Sequence, residues 1–257
     1  MAMINSYLDT MEAPISDDED DEEPSMSFVF RQGPSTTCAP ADCVGLVFCG
    51  PGAASVFAEA AFDLRPVAWQ LEATTSGFPR PPRNLRFMLA EAAPVAFVLC
   101  GEPMAPELAD AWADALLAAF SGARILVLDR LFRLEYSVAP GGPERPQEPH
   151  LTGLWSAVWE EGASPAEKMR LPQLPAPNYL AGVAAALLMR CEAERRQCLV
   201  ALSVQDGAHL GAGCLGAFEG LGPLFEALGI LSDNRKKPDY LKVAGRTVAQ
   251  PSMMIYA

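Results

Sequence analysis

The chain has 257 residues, half of them apolar and a fifth charged, a composition that excludes a disordered protein and allows a substantial core. Its formal charge of −13 is unevenly placed: nine acids (Asp9, Glu12 and the run Asp17 to Glu23) fall in the first 24 residues, which hold no Lys or Arg, so the remainder carries only −4. With no basic stripe beyond the short cluster Arg235, Lys236 and Lys237, the charge pattern argues against nucleic-acid binding.

Seven cysteines stand at 38, 43, 49, 100, 191, 198 and 214, an odd number with no C-x-x-C spacing, and most sit in apolar runs such as "VGLVFCG" and "VAFVLCG". That pattern predicts reduced, buried thiols of an intracellular protein. The opening residues lack a basic stretch followed by an apolar one, so no secretory signal is expected. No apolar run approaches the roughly 18–20 residues of a membrane span. A cytoplasmic or nuclear location is the expectation.

In chain order, residues 1–25 with "SDDEDDEEPS" are expected to form a solvated, disordered acidic segment. "SFVFRQ" alternates like an edge strand. "CVGLVFCG" (43–50) is a continuous apolar run, the mark of a strand covered on both faces. "PGAASVFAEAAF" has helical spacing at Val56, Ala60 and Ala61, and "RPVAWQLEA" (65–73) reads as one returning strand. A Pro/Arg-rich loop, "GFPRPPRN", follows. Then come strand "PVAFVLCG" (94–101), helix "PELADAWADALLAAF" (106–120) with an apolar face at Leu108, Trp112, Ala115, Leu116 and Ala119, and strand "ARILVLDRLFRLEY" (123–136). "SVAPGGPERPQEPHLTG" (137–153) is rich in Pro and Gly and reads as a long loop. A helix over "YLAGVAAALLMRCEAE", a strand over 197–206 and a helix over 216–231 interrupted at Gly222-Pro223 complete the pattern. The order predicts a single three-layer α/β/α domain over 26–246 with a mostly parallel central sheet. Residues 247–257 are left as a flexible C-terminal tail.

Three stretches invite a chemical reading. Gly50-Pro51-Gly52-Ala53-Ala54-Ser55 links a strand to a helix, with Glu72 about twenty residues on, which suggests a dinucleotide turn and makes an α/β nucleotide- or nucleoside-binding enzyme the alternative function. Against it, Ser55 replaces the third glycine, Pro51 has no N–H to offer a phosphate, and any tight βα turn favours glycine. Asp206, His209 and Cys214 follow a strand where ligands of open α/β sheets bind, but a polar loop explains them as well; His150, the other histidine, lies in the Pro-rich stretch. No G-x-S-x-G, H-E-x-x-H or paired-carboxylate spacing occurs, so no catalytic residue, metal or cofactor is expected. The third stretch is the end, "PSMMIYA". An apolar-aromatic terminus needs a home, either on its own domain or in a partner's pocket, with its carboxylate held by a lysine or by backbone N–H groups.

The ending Ile255-Tyr256-Ala257 has the "hydrophobic–Tyr–any residue" form used to dock onto the α-ring of the 20S proteasome. "RLPQLPAPNYLAGVAAALLMRCEAERRQCLVALSVQDG" (170–207), then "GAFEGLGPLFEALGIL", resembles the C-terminal half of the proteasome assembly chaperone 1 family, and "CVGLVFCG…AASVF" resembles that family's first strand and turn. The resemblance does not extend across 137–160. It implies a non-catalytic chaperone with an α/β fold similar to nucleoside phosphorylases but lacking their active site. It also implies a heterodimer with assembly chaperone 2 that binds the α-ring and promotes core-particle assembly. By the same resemblance, Ile255 and Tyr256 enter a groove between two α-subunits, and the Ala257 carboxylate pairs with a lysine there.

Overall fold

The structure is a computed structural model and describes residues 27–33, 38–73, 85–132, 134–137, 149–164, 171–205, 210–230 and 235–249. The expected acidic segment, the Pro/Arg-rich loop and the last eight residues lie outside these. In chain order the elements are strands β1 (Phe28–Gln32) and β2 (Gly45–Cys49), helix α1 (Ala53–Ala61), strands β3 (Leu64–Pro66), β4 (Trp69–Ala73), β5 (Leu85–Ala90) and β6 (Val95–Cys100), and helix α2 (Ala109–Ala119). Strands β7 (Arg124–Phe132) and β8 (His150–Trp155) follow, then α3 (Ala157–Gly162), α4 (Gly182–Ala193), β9 (Cys198–Gln205), α5 (Ala212–Gly216), α6 (Gly222–Ala227) and α7 (Tyr240–Ala249).

Seven strands form one sheet in the order β3-β5-β6-β2-β7-β9-β8. The four inner strands, β6, β2, β7 and β9, are parallel, while β5 and β8 are antiparallel to their inner neighbours and β3 is antiparallel to β5. The parallel core and the helices on both sides follow the sequence expectation; the antiparallel flanks make the sheet mixed. The apolar runs are inner strands because only a strand covered on both faces buries every residue, and β2, β6 and β9 do so throughout. One face packs against α2 and α4, and the other against α1, α5 and α6.

The differences from the expected elements have local causes. "RPVAWQLEA" is not one strand: Val67 and Ala68 break it, so β3 stays at the sheet edge and β4 leaves to pair with β1 in a separate two-stranded ribbon. The ribbon is held on the α2 face by aromatic packing of Phe30 against Phe87 (5.2 Å) and Phe120 (5.6 Å) and of Trp69 against Phe120 (5.6 Å). In α1 the buried face is Ala53, Ala54, Phe57, Ala58 and Ala61, with Val56 only half-buried. Strand β5, absent from the sequence reading, alternates Phe87 and Leu89 inward with an exposed Arg86 that ion-pairs with Glu59 of α1.

The proline-rich stretch ends in β8. Gly153 hid that strand from pattern reading, and the structure shows why glycine stands there. A Cβ at 153 would lie 2.2 Å from the Leu171 side chain and 2.5 Å from the Val200 carbonyl oxygen, because residues 171–174 cross β8 at this point. The crossing segment bonds the strand on both sides of its amide, Gly153 N to Pro172 O (2.9 Å) and Leu174 N to Gly153 O (2.8 Å), so the sheet edge at β8 is covered. All seven cysteines are free thiols, as their spacing predicts.

Ser156 joins α3 to the sheet. Its fully buried hydroxyl donates to Arg196 O (2.7 Å) and accepts from the N–H groups of Cys198 (3.0 Å) and Trp159 (3.3 Å), the last being the N-cap bond of α3. Ser156→Ala strands one carbonyl and two amides, and is expected to lower stability by about 1–3 kcal/mol in a urea titration. Ser156→Thr, which keeps the hydroxyl, is expected to recover part of that loss.

Candidate functional site

The carboxyl ends of the parallel strands meet at the β2–α1 turn. Gly50 N donates to Leu128 O (2.8 Å), which sets β2 against β7 and brings Gly50 opposite Asp129. A Cβ on Gly50 would lie 2.2 Å from Asp129 Oδ1, so the carboxylate fills the space beside the turn. Gly52 has φ +91°, open to glycine at low cost, and caps α1. The Ser55 hydroxyl reaches the carbonyl oxygens of Cys49 (3.0 Å), Gly50 (3.1 Å) and Cys100 (3.0 Å), tying the first turn of α1 to the ends of β2 and β6.

Burial pushes the Asp129 carboxyl up to about 6, against opposing pulls from the Arg130 N–H, which donates to Oδ1 at 2.8 Å, and from the Arg130 guanidinium. Burial likewise pushes the Cys100 thiol up to about 11, against an opposing pull from a backbone hydrogen bond with Glu102; Cys49, fully enclosed, is also raised by burial. Both thiols are protonated at neutral pH, which removes them as nucleophiles.

This geometry weakens the dinucleotide reading. A carboxylate occupies the side of the turn next to Gly50, where it would repel a pyrophosphate. Glu72, the expected ribose acid, lies on β4 in the ribbon and is ion-paired with Arg31. Cys214 is buried in α5 within the α1-side core, whereas Asp206 and His209 lie outside the described residues. His150 opens β8 with its ring edge-on to Tyr136 at 5.6 Å. No group of three or more His, Cys, Asp or Glu among the described residues could hold a metal ion.

Ile255, Tyr256 and Ala257 lie outside the described residues; residues 235–244 before them are anchored on the core. Lys236 N donates to Ala61 O (2.8 Å) at the end of α1, and Phe62 bridges to Arg235. Helix α7 then lays Tyr240, Val243 and Ala244 on the α1-side core, with the Tyr240 ring stacked at 6.4 Å on Phe57, and turns Leu241 to solvent. Burial and the nearby Glu219 carboxylate push the Tyr240 phenol up, so it packs as a neutral ring. The helix runs to Ala249, three residues past Arg246 and two short of Pro251, as expected where a following proline restricts the residue before it.

No protein-family model matches the chain, and no curated protein matches it in sequence. Solved structures do match in fold. A Thermoplasma acidophilum protein of unknown function has TM-score 0.60 at 13% identity, over 80% of this chain and 84% of that one. Pyrococcus furiosus PbaA, an archaeal homolog of proteasome-assembly chaperone, has TM-score 0.59 at 14% identity, over 88% and 94%. Pyrococcus furiosus PbaB, an archaeal proteasome activator, has TM-score 0.54 at 14% identity, over 87% and 95%. The likeness is one of fold.

Asp129, Arg130, Ser203 and Gln205 also gather at this edge, and the sequence reading had singled out none of them. A signal was present: "ILVLDR" places a charged pair at the end of an apolar run, and "LVALSVQ" places two polar residues on alternate positions of another. In a parallel sheet, polar residues at the C-terminal ends of inner strands stand where ligands bind. Among the described residues no helix is long and apolar enough to cross a membrane.

Proposed function

We propose that this chain is a proteasome assembly chaperone of the assembly chaperone 1 kind. In this reading it is not an enzyme: it pairs with assembly chaperone 2 in the cytoplasm or nucleus and binds the α-ring of the 20S core particle through Ile255, Tyr256 and Ala257. The observation that carries the reading is a conjunction. The fold resembles that of an archaeal homolog of proteasome-assembly chaperone over 88% of the chain, and a hydrophobic–Tyr–Ala ending follows a helix fixed to the core.

The energetics favour a docking segment that works in concert with a second contact. Burying Ile255 contributes about 1.5–3 kcal/mol, and a charge-assisted contact to the carboxylate contributes about 1.5–3 kcal/mol. Ordering a flexible segment offsets much of this. One such tail therefore binds in the roughly millimolar-to-micromolar range and gains useful strength when a partner's contact raises its effective concentration. From Ala249 to Tyr256 the chain can reach about 24 Å when fully extended, so α7 restricts where the pocket can lie relative to the domain.

The test is affinity capture with tagged full-length protein beside a variant lacking residues 255–257. Captured proteasome α-subunits should fall about tenfold or more, with the melting temperature unchanged and assembly chaperone 2 still bound. Equal capture by both forms would refute docking through the tail. A lower melting temperature for the truncated form would show that the tail packs on its own domain.

A further inference from the structure

The carboxyl edge of the sheet has a second side, opposite Asp129 and rich in donors. β7 and β9 run parallel with Arg130 opposite Ser203 and Phe132 opposite Gln205. Strand alternation places all four side chains on the face that carries α1, because Leu126 and Leu128 of β7 and Leu199 and Ala201 of β9 belong to that core. The Arg130 guanidinium lies over the Phe132 ring, 4.6 Å from its centre. A Cβ on Gly52 would stand 3.1 Å from one of its terminal nitrogens, so the guanidinium borders the N-cap of α1.

Several donors in this place lack acceptors. Ser203 is fully buried and Gln205 is 3% exposed, yet neither Ser203 Oγ nor Gln205 Nε2 has a hydrogen-bond partner among the described residues. Helix α1 has no side-chain cap, and its first internal bond runs from Val56 N to Gly52 O (3.1 Å). The N–H groups of Ala53, Ala54 and Ser55 therefore point out of the helix end without acceptors inside it, although all three residues are buried. Native proteins rarely leave such groups unmet, and an uncapped, positively polarised helix end beside an arginine attracts an anion.

We propose that this edge, bounded by the first turn of α1 and floored by Arg130, Ser203 and Gln205, binds a small oxyanion of the phosphate type, either free or as the phosphoryl group of a small molecule. Helix amides, a guanidinium, a primary amide and a hydroxyl together offer more donors than a carboxylate can accept, and a tetrahedral oxyanion accepts them from several directions. Asp129 approaches the same turn from the Gly50 side and repels an anion there, so binding depends on the Arg130 guanidinium and the α1 amides outweighing it. None of the residues that form the site belongs to the docking segment, so removal of residues 255–257 is expected to leave phosphate binding unchanged.

Isothermal titration of the full-length protein with inorganic phosphate, and in parallel with a nucleoside monophosphate, tests this at constant ionic strength in chloride. One saturable site is expected, weakened about tenfold or more by Arg130→Met, whose apolar stem still covers Phe132. Gln205→Leu, which removes one donor without touching the guanidinium, should weaken it independently. Tighter binding of the nucleotide assigns the site to a phosphoryl group on a larger molecule, and equal binding assigns it to free phosphate. No saturable binding by the wild-type protein at millimolar ligand, or equal binding by both variants, would overturn the proposal.

Discussion

Replacing Trp112 by alanine is expected to lower stability by about 3–5 kcal/mol, while phenylalanine at the same position should cost about 1.5 kcal/mol or less. Trp112 has no exposed surface and packs edge-on against Phe48 of β2 at 5.3 Å, so it joins α2 to the centre of the sheet. Alanine leaves a cavity between two rigid layers that cannot close over it. Phenylalanine keeps most of the ring contact and removes an indole N–H that is buried without an acceptor among the described residues, which offsets part of the lost volume. Domains commonly have only about 5–15 kcal/mol of stability, so the alanine variant should melt roughly 6–20 °C lower. Thermal melts of the two variants check this, and equal losses would mean that the indole nitrogen has a partner in solution.

Asp129→Asn should stabilise the protein at neutral pH and have little effect in acid. The folded-state carboxyl sits at about 6, above its ordinary 3.8, chiefly because burial disfavours the charge. The folded state therefore holds the proton more tightly than the unfolded chain. Below about pH 4 both states are protonated and the group makes no difference. As pH rises from about 4 to 6 the unfolded chain ionises first and stability falls; above about 6 the loss is complete. The shift corresponds to about 3 kcal/mol for full desolvation, and the partial exposure of Asp129 reduces this to about 1–2 kcal/mol. Asparagine keeps an oxygen for the Arg130 N–H and never ionises. Melting temperatures of the variant and parent should differ most at pH 7.5 and converge near pH 4. A difference independent of pH would show that Asp129 is not desolvated in the fold.

Much of the fold was legible because burial writes itself into composition. A strand covered on both faces must be apolar throughout, and "GLVFC", "VAFVLC" and "ILVL" announce the inner sheet for that reason. The strands missed or misread lie toward the flanks of the sheet, where that demand relaxes. β5 carries Arg86 to solvent, β8 carries a glycine required by the crossing of residues 171–174, and β4 leaves the sheet through a two-residue break. The candidate sites divide in the same way. The apolar ending Ile255-Tyr256-Ala257 stands out in sequence, because an apolar terminus needs a home. Arg130, Ser203 and Gln205 do not stand out, because they are distant in sequence and each is unremarkable alone.

The sequence by itself determined the layer architecture and the reduced state of the cysteines and pointed to a candidate docking end, since each depends on local composition or periodicity. Only the tertiary structure decided the strand order, the antiparallel flanks and the departure of the β1–β4 ribbon, which depend on how distant segments pack. It also placed a carboxylate beside Gly50 and a guanidinium beside Gly52. One glycine turn thereby became two chemically opposite faces, which no pattern within residues 50–55 could encode.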